Sequence, residues 1–230
     1  MISSILPDWA EPVLRYMFEV GLRGTLQIAA LSLTGSLLIG VTLGTLLTIK
    51  FMPSRAFIRL YIEVWRGLPI LVTLFLVFFL LPAVDPRLEF DALISASIAL
   101  TLWGSAQVAE ATRGAVQSIP KEQHEAAAAL GFGWIGRHAF VILPQALRRL
   151  LPPLVSLLVN IIQNSTIAQV IGAPELLESA ERQVERLAAP PPIGIGEVEA
   201  IPIYATVMVI FFCISFPLTR LSAYLEKRLQ

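Results

Sequence analysis

The chain has 230 residues, of which 56% are apolar and only 15% charged, and its 17 basic residues balance 17 acidic ones. Soluble domains carry nearer a quarter charged residues, so the composition excludes an ordinary water-soluble domain; the zero net charge says little, because the two signs are unevenly distributed along the chain. A single cysteine, Cys213, excludes an internal disulfide and a cysteine-rich metal site, and its apolar setting predicts a small core residue.

Residues 1–19 carry Asp8, Glu11, Arg15 and Glu19 and lack a basic start followed by an apolar run. They read as a short amphipathic lead-in and not as a signal peptide. Five apolar stretches follow, at 21–49, 56–81, 92–112, 150–171 and 201–221, the first with Arg23 as its only charge. Each is long enough to cross a bilayer. Lipid offers no water to backbone groups, so all five are expected to be helical. The strict alternation of a membrane barrel is absent. The expected fold class is therefore an all-α integral membrane protein, with residues 1–230 forming a single transmembrane domain.

Basic residues set the orientation. With five spans, one side collects Lys50, Arg55, Arg59, Arg113, Lys121, Arg137, Arg148, Arg149, Arg220, Lys227 and Arg228. The other collects Arg15, Arg23, Arg87, Arg182 and Arg186, and Arg66 lies inside the second span. The richer side is cytoplasmic by the positive-inside rule. The N-terminus is then outside and the C-terminus inside.

Two connections are long. The external one, 173–200, is predicted helical over 174–187, and Ala189-Pro190-Pro191-Pro192 then cannot continue a helix. The cytoplasmic one spans 113–149. In it Pro120 suits a first helical turn, 121–130 are strong helix formers, and Gly131 can stop the helix with positive φ. Gly133 and Gly136 permit a sharp reversal. The alanine side chains leave a slim surface that can enter a groove. Such a helix, tied to spans on both sides, can transmit motion from a docked protein. His124 and His138 are the only histidines; with no third ligand nearby, no metal site is expected. No G-x-x-x-x-G-K-[ST] phosphate loop is present.

Ionisable and amide groups at bilayer depth are functional candidates. Glu63 and Arg66 stand at i, i+3; they can pair with each other or meet a substrate. Gly67 and Pro69 can kink the second span or open its backbone to a zwitterion. Asn160, Gln163 and Asn164 share a helix face, with Ser165, Thr166 and Gln169 close behind. Their amides can donate to a carboxylate and accept from an ammonium group, or serve as interhelical contacts. Gln107 and Glu110 form a weaker set, Glu110 being placed to pair with Arg113. No catalytic constellation is visible, so no enzymatic activity is expected of this chain.

The cytoplasmic stretch resembles the coupling loop of ABC importer permeases. That pattern is Glu-Ala-Ala, three residues, Gly, nine residues, Ile, one residue, Leu-Pro. Here it runs Glu125-Ala126-Ala127, Gly131, Val141, Leu143-Pro144. Three further stretches resemble signatures of the polar amino acid branch (histidine, glutamine and arginine type). They are Tyr61-Ile62-Glu63-Val64-Trp65-Arg66-Gly67-Leu68-Pro69-Ile70-Leu71, Ala109-Glu110 through Arg113-Gly114-Ala115-Val116-Gln117-Ser118-Ile119-Pro120, and Leu143-Pro144-Gln145-Ala146. Departures are Leu68 for Thr, Val141 for Ile, Glu122-Gln123 for the usual Gly-Gln, and Gln163-Asn164-Ser165-Thr166-Ile167 for Lys-Asp-Thr-Ser-Leu.

The resemblance implies a type I ABC importer fold in a bacterial cytoplasmic (inner) membrane. Glu125, Ala126, Ala127, Gly131, Leu143 and Pro144 would couple to an ATPase subunit. Glu63, Arg66, Gly67, Pro69, Asn160, Gln163, Asn164, Ser165 and Thr166 would line the substrate pathway. It further implies a second permease subunit, identical or paralogous, and an external substrate-binding protein. The cargo is an amino acid, or alternatively an opine, ectoine or a phosphonate. No cofactor is expected on this chain, ATP and Mg being used by the partner ATPase, and no nucleic-acid partner is expected.

Overall fold

The structure, a computed structural model, describes residues 7–48, 55–196 and 199–229. The expected span end at Ile49, together with Lys50 and Glu197, lies outside them. The described residues form eight helical segments and no strand. These are α1 (Ala10–Leu46), α2 (Arg55–Gly67), α3 (Ile70–Val84), α4 (Ala92–Gln117), α5 (Lys121–Ala129), α6 (Trp134–Ile171), α7 (Leu176–Ala188) and α8 (Ala200–Leu229). A short 3-10 turn, Pro86–Leu88, follows α3. By length and composition α1, α4, α6 and α8 can each cross a bilayer, and α2 with α3 makes a fifth, bent span.

Several boundaries differ from the sequence expectation. The lead-in is not separate: the helix starts at Ala10 and runs through a π-helical turn, Met17–Leu22, into the first span. The second span is not continuous. It breaks at Leu68 and Pro69, and α2 and α3 are bent by 108°. Pro69 has no N–H to donate and pushes Leu68 out of the helical region. The fourth span begins at Trp134 instead of 150. Arg148 and Arg149, which suggest a loop in the sequence, sit on the exposed face of a helix that carries on through them. In α7 the helix starts at Leu176, with Glu175 as its cap.

The chain packs as two compact units. The first comprises Met1–Leu31, Ile70–Leu100 and Ile161–Phe216. Its core joins Val13 and Met17 of α1, Leu176, Ala180 and Leu187 of α7, and Ile203, Val207 and Ile210 of α8. The α7 positions recur at helical spacing, so one apolar stripe of a charge-rich helix is buried. Its entry is pinned as well: Thr25 Oγ1 accepts from Leu176 N at 3.1 Å. A Cβ on Gly24 would stand 1.7 Å from the Pro174 carbonyl oxygen, so only glycine permits this approach. Glu175 is fully buried; its Oε1 accepts from Glu178 N at 2.7 Å and its Oε2 has no hydrogen-bond partner. Burial pushes this carboxyl up to about 7, against the backbone N–H donors and with help from the nearby Glu178 charge.

The second unit comprises Ser32–Pro69, Thr101–Asn160 and Pro217–Gln230. Here α1 and α4 approach through small residues, the usual way membrane helices gain van der Waals contact. A Cβ on Gly44 would lie 2.3 Å from the Ala109 carbonyl oxygen, and one on Gly40 2.5 Å from Val108 Cβ. Leu47, Ile58, Ile62 and Ala109 close one core, and Val116, Ile119, Ile142 and Ala146 a second. Ser222 ties α8 to α6: its hydroxyl donates to the Pro152 carbonyl at 2.9 Å and lies 2.9 Å from Ser156 Oγ.

Outward faces are apolar, as at Leu38, Met208 and Phe212. Such faces suit lipid, which is as apolar as a side-chain core. Cys213 belongs to them: it is exposed, and the expectation of a core cysteine is incorrect. Hydropathy cannot separate a lipid-facing position from an interior one, because both are apolar.

Candidate functional site

The first candidate is the loop around Glu125. Pro120 is the cap just before α5, one position earlier than the first turn. At the other end Gly131 adopts φ +84°. Phe132 N then donates to Ala127 O at 3.1 Å and Gly131 N to Ala128 O at 2.9 Å. This is the paired closure that a left-handed glycine allows. Gly133 is extended and opens the next helix at Trp134.

α5 is held from behind. Ala127 is buried, whereas Glu125, Ala126, Ala128 and Ala129 face outward. Gln145 Nε2 reaches Gln123 Oε1 at 3.3 Å and Val141 O at 2.8 Å. Arg137 Nη1 donates to the His124 carbonyl at 3.5 Å. The His138 ring stacks on Trp134 with centroids 4.2 Å apart and meets His124 at 6.1 Å. Burial, and then the Arg137 charge, hold His124 below the usual imidazole range. Arg149 Nη1 donates to Ser118 O at 2.7 Å and to Ser118 Oγ at 2.8 Å, bracing the segment before Pro120.

Beside the exposed alanines lies an apolar patch. Leu130 is 78% exposed, Ile135 77% and Phe140 73%. Exposed apolar side chains of this size are candidates for a protein-docking surface. Leu143 is half-buried beside the second apolar core, and Pro144 is exposed.

The expected pathway residues are distributed as follows. In the second unit Glu63 and Arg66 do not bond to each other. Arg66 Nε instead donates to Gln107 Oε1 of α4 at 3.2 Å. Glu63, Arg66, Arg59, Glu110 and Arg113 line a cavity of about 130 Å³. Arg113 pairs with Glu110, as its spacing predicts, and donates to Gln117 at 2.6 Å. Tyr61 and Ser105 hydroxyls lie 2.7 Å apart and join α2 to α4. Gly67 and Pro69 flank the break and are exposed. Asn160 lines a cavity of about 340 Å³ with Trp103, Gln107, Ala111, Ser156 and Leu157.

In the first unit Gln163 is exposed and Thr166 donates to its carbonyl at 2.8 Å. Ser165 is buried and donates to Ile162 O at 2.8 Å. Asn164 borders a narrow gap with Ile70, Leu74, Ala96 and Ala168. Local hydroxyl-to-carbonyl bonds thus occupy both Ser165 and Thr166. Sequence reasoning missed Trp103, Ser156 and the Arg149–Ser118 brace; Gln145 carried a signal, as part of Leu-Pro-Gln-Ala, but not its role.

The chain is 34% identical to the glutamine transport system permease protein GlnP of Escherichia coli (strain K12), covering 97% of this chain and 98% of that one. It is 31% identical to the probable glutamine ABC transporter permease protein GlnM of Bacillus subtilis (strain 168), over 93% of this chain and 94% of the relative. The fold matches a solved structure described as an amino acid ABC transporter with histidines. The TM-score is 0.78 at 26% identity, over 97% of this chain and 100% of that chain. Residues 15–230 match the family described as binding-protein-dependent transport system inner membrane component, and the chain belongs to that family.

Proposed function

We propose that this chain carries polar amino acids across a bacterial inner membrane as the permease subunit of an ATP-driven importer. The observation that carries the reading is the α5 loop. A short, glycine-terminated helix exposes small residues and an apolar patch, follows closely on α4, and is braced from α6. A partner gripping Glu125, Ala126 and the exposed patch would move both spans together, with Ala127, Gly131, Leu143 and Pro144 keeping the helix in shape. The partner is an ATPase subunit, which uses ATP and Mg. Two permease subunits form the pathway, and an external binding protein delivers the cargo. ATP binding draws the coupling helices together and opens the pathway outward; hydrolysis resets it. The N-terminus is outside, the C-terminus is cytoplasmic, and residues 113–149 face the ATPase.

An amino acid cargo is supported by the relatives' names and by the pathway chemistry. Glu63, Arg66 and Asn160 of the second unit, and Gln163 and Asn164 of the first, offer donors and acceptors of the kind a zwitterion needs, and Gly67 and Pro69 can free backbone groups at the break. Co-purification through this subunit, followed by uptake of radiolabelled L-glutamine, L-histidine and L-arginine into proteoliposomes containing the whole complex, tests the reading. An ATPase subunit that co-purifies, and uptake that needs both ATP and the binding protein, are expected. Absence of the ATPase, or uptake of none of the three, refutes it.

A further inference from the structure

We propose that Gln107, oriented by Arg66, is the donor that recognises the α-carboxylate of the transported amino acid. The inference rests on the reading of the chain as an amino acid permease. Gln107 links two cavities of the second unit, lining one and bonded to Arg66, which lines the other. Its side chain lines the cavity of about 340 Å³ with Trp103 and Asn160. Its carbonyl oxygen accepts from Arg66 Nε at 3.2 Å, and Arg66 lines the charged cavity with Arg59 and Arg113.

A guanidinium can only donate, so the oxygen of the Gln107 amide must be the atom that faces Arg66. The NH2 group is then the part left to the larger cavity. One ion-bearing side chain thereby fixes the polarity of another. An amide free to flip would offer either sign; this one presents a donor. Behind Arg66, three arginines against two glutamates give the small cavity a positive balance. A donor beside a positive field attracts a carboxylate and repels an ammonium group. The larger cavity is otherwise lined mainly by carbon, including Val108, Pro153 and Leu157. Hydrogen bonds to a charged group are stronger there than in water.

The test separates recognition from a merely structural bond. Gln107→Glu is nearly isosteric and keeps the contact with Arg66, now as an ion pair, but presents an acceptor to the cavity. Gln107→Met keeps the size and presents nothing. Binding to the purified permease–ATPase complex in nanodiscs is measured with whichever of L-glutamine, L-histidine and L-arginine the wild type takes up best. Its decarboxylated amine (4-aminobutanamide, histamine or agmatine) serves as competitor. We expect Gln107→Glu to bind the amino acid at least tenfold more weakly than wild type and more weakly than Gln107→Met. Its preference for the amino acid over the amine should fall by at least tenfold. If Gln107 only anchors Arg66, Gln107→Glu binds as well as wild type, and a Gln107→Glu no weaker than Gln107→Met overturns the inference. Arg66→Met, which releases the amide, should lower the same preference, and Arg66→Lys should restore it; an unchanged preference in Arg66→Met overturns the positioning role. A wild-type complex that takes up none of the three amino acids refutes instead the underlying functional reading.

Discussion

Glu175 offers a quantitative test of the packing of α7. The carboxyl is fully buried, caps the helix, leaves Oε2 without a partner, and titrates near 7 instead of 4.5. In the unfolded chain it ionises near 4.5; in the folded one it keeps its proton until about 7. Between those values the folded state binds more protons, so stability falls as pH rises. It is greatest below pH 4.5, declines through the window, and is level above 7. A shift of about 2.5 units corresponds to about 3 kcal/mol at 1.36 kcal/mol per unit. Glu175→Gln retains a carbonyl for the Glu178 N–H and removes the ionisation. The variant and the wild type should match below about pH 4, already differ by nearly 1 kcal/mol at pH 5 and diverge by up to about 3 kcal/mol at pH 8, the variant being the more stable. For a chain of this size that is a rise of roughly 6–12 °C in melting midpoint. Thermal unfolding of the purified complex, followed across pH 5 to 8.5 for both proteins, reads the difference. Other groups titrate equally in both and cancel. Parallel curves would refute the assignment of a buried, proton-holding Glu175.

Three further substitutions probe the other load paths. Gly131→Val places a β-branched residue at φ +84°, a strain of roughly 1–2 kcal/mol; the loop should loosen, and uptake per ATP hydrolysed should fall while the subunit still inserts and assembles. Gly44→Leu drives a side chain into the Ala109 carbonyl 2.3 Å from the Cβ position; loss of the monodisperse peak in size-exclusion chromatography is expected. Arg149→Met removes both hydrogen bonds to Ser118. Because the arginine is exposed, the cost is only about 1 kcal/mol, seen as faster amide hydrogen exchange over residues 118–130 with unchanged exchange in α4.

The spans, the helix at 121–129 and its glycine stop were legible in the sequence because each rests on a local rule. Apolar length reports a membrane helix, and an alanine run ended by glycine reports a capped one. The boundaries that differed did so where tertiary context outweighed composition. Arg148 and Arg149 suggest a loop, yet a helix can carry arginines on its exposed face and continue. Pro69 breaks its helix, whereas Pro152 and Pro153 remain inside α6. The sequence marks all three as breakers alike. At Pro69 the preceding Gly67 adds no side-chain contact to hold the helix together, whereas beside Pro152 the Ser222 hydroxyl crosses from α8 to its carbonyl.

The candidate site shows the same limit more sharply. Arg66 has a carboxylate three residues earlier on its own helix, and spacing rules favour that partner. The structure gives it Gln107, 41 positions away. An i, i+3 ion pair on an exposed helix face is worth only about 0.2–0.5 kcal/mol, so a contact between helices readily outcompetes it. Local spacing therefore names the residues that can act but not the partner that orients them. That distinction decides the chemistry here: Arg66 paired with Glu63 would leave the Gln107 amide free to turn, whereas Arg66 bound to Gln107 fixes a donor toward the cavity. A double-mutant cycle on Arg66 and Gln107 measures the coupling directly. We expect coupling of about 1 kcal/mol or more for Arg66→Met with Gln107→Met, and coupling near zero for Arg66→Met with Glu63→Gln; the reverse order would return Arg66 to its local partner and remove the orienting contact.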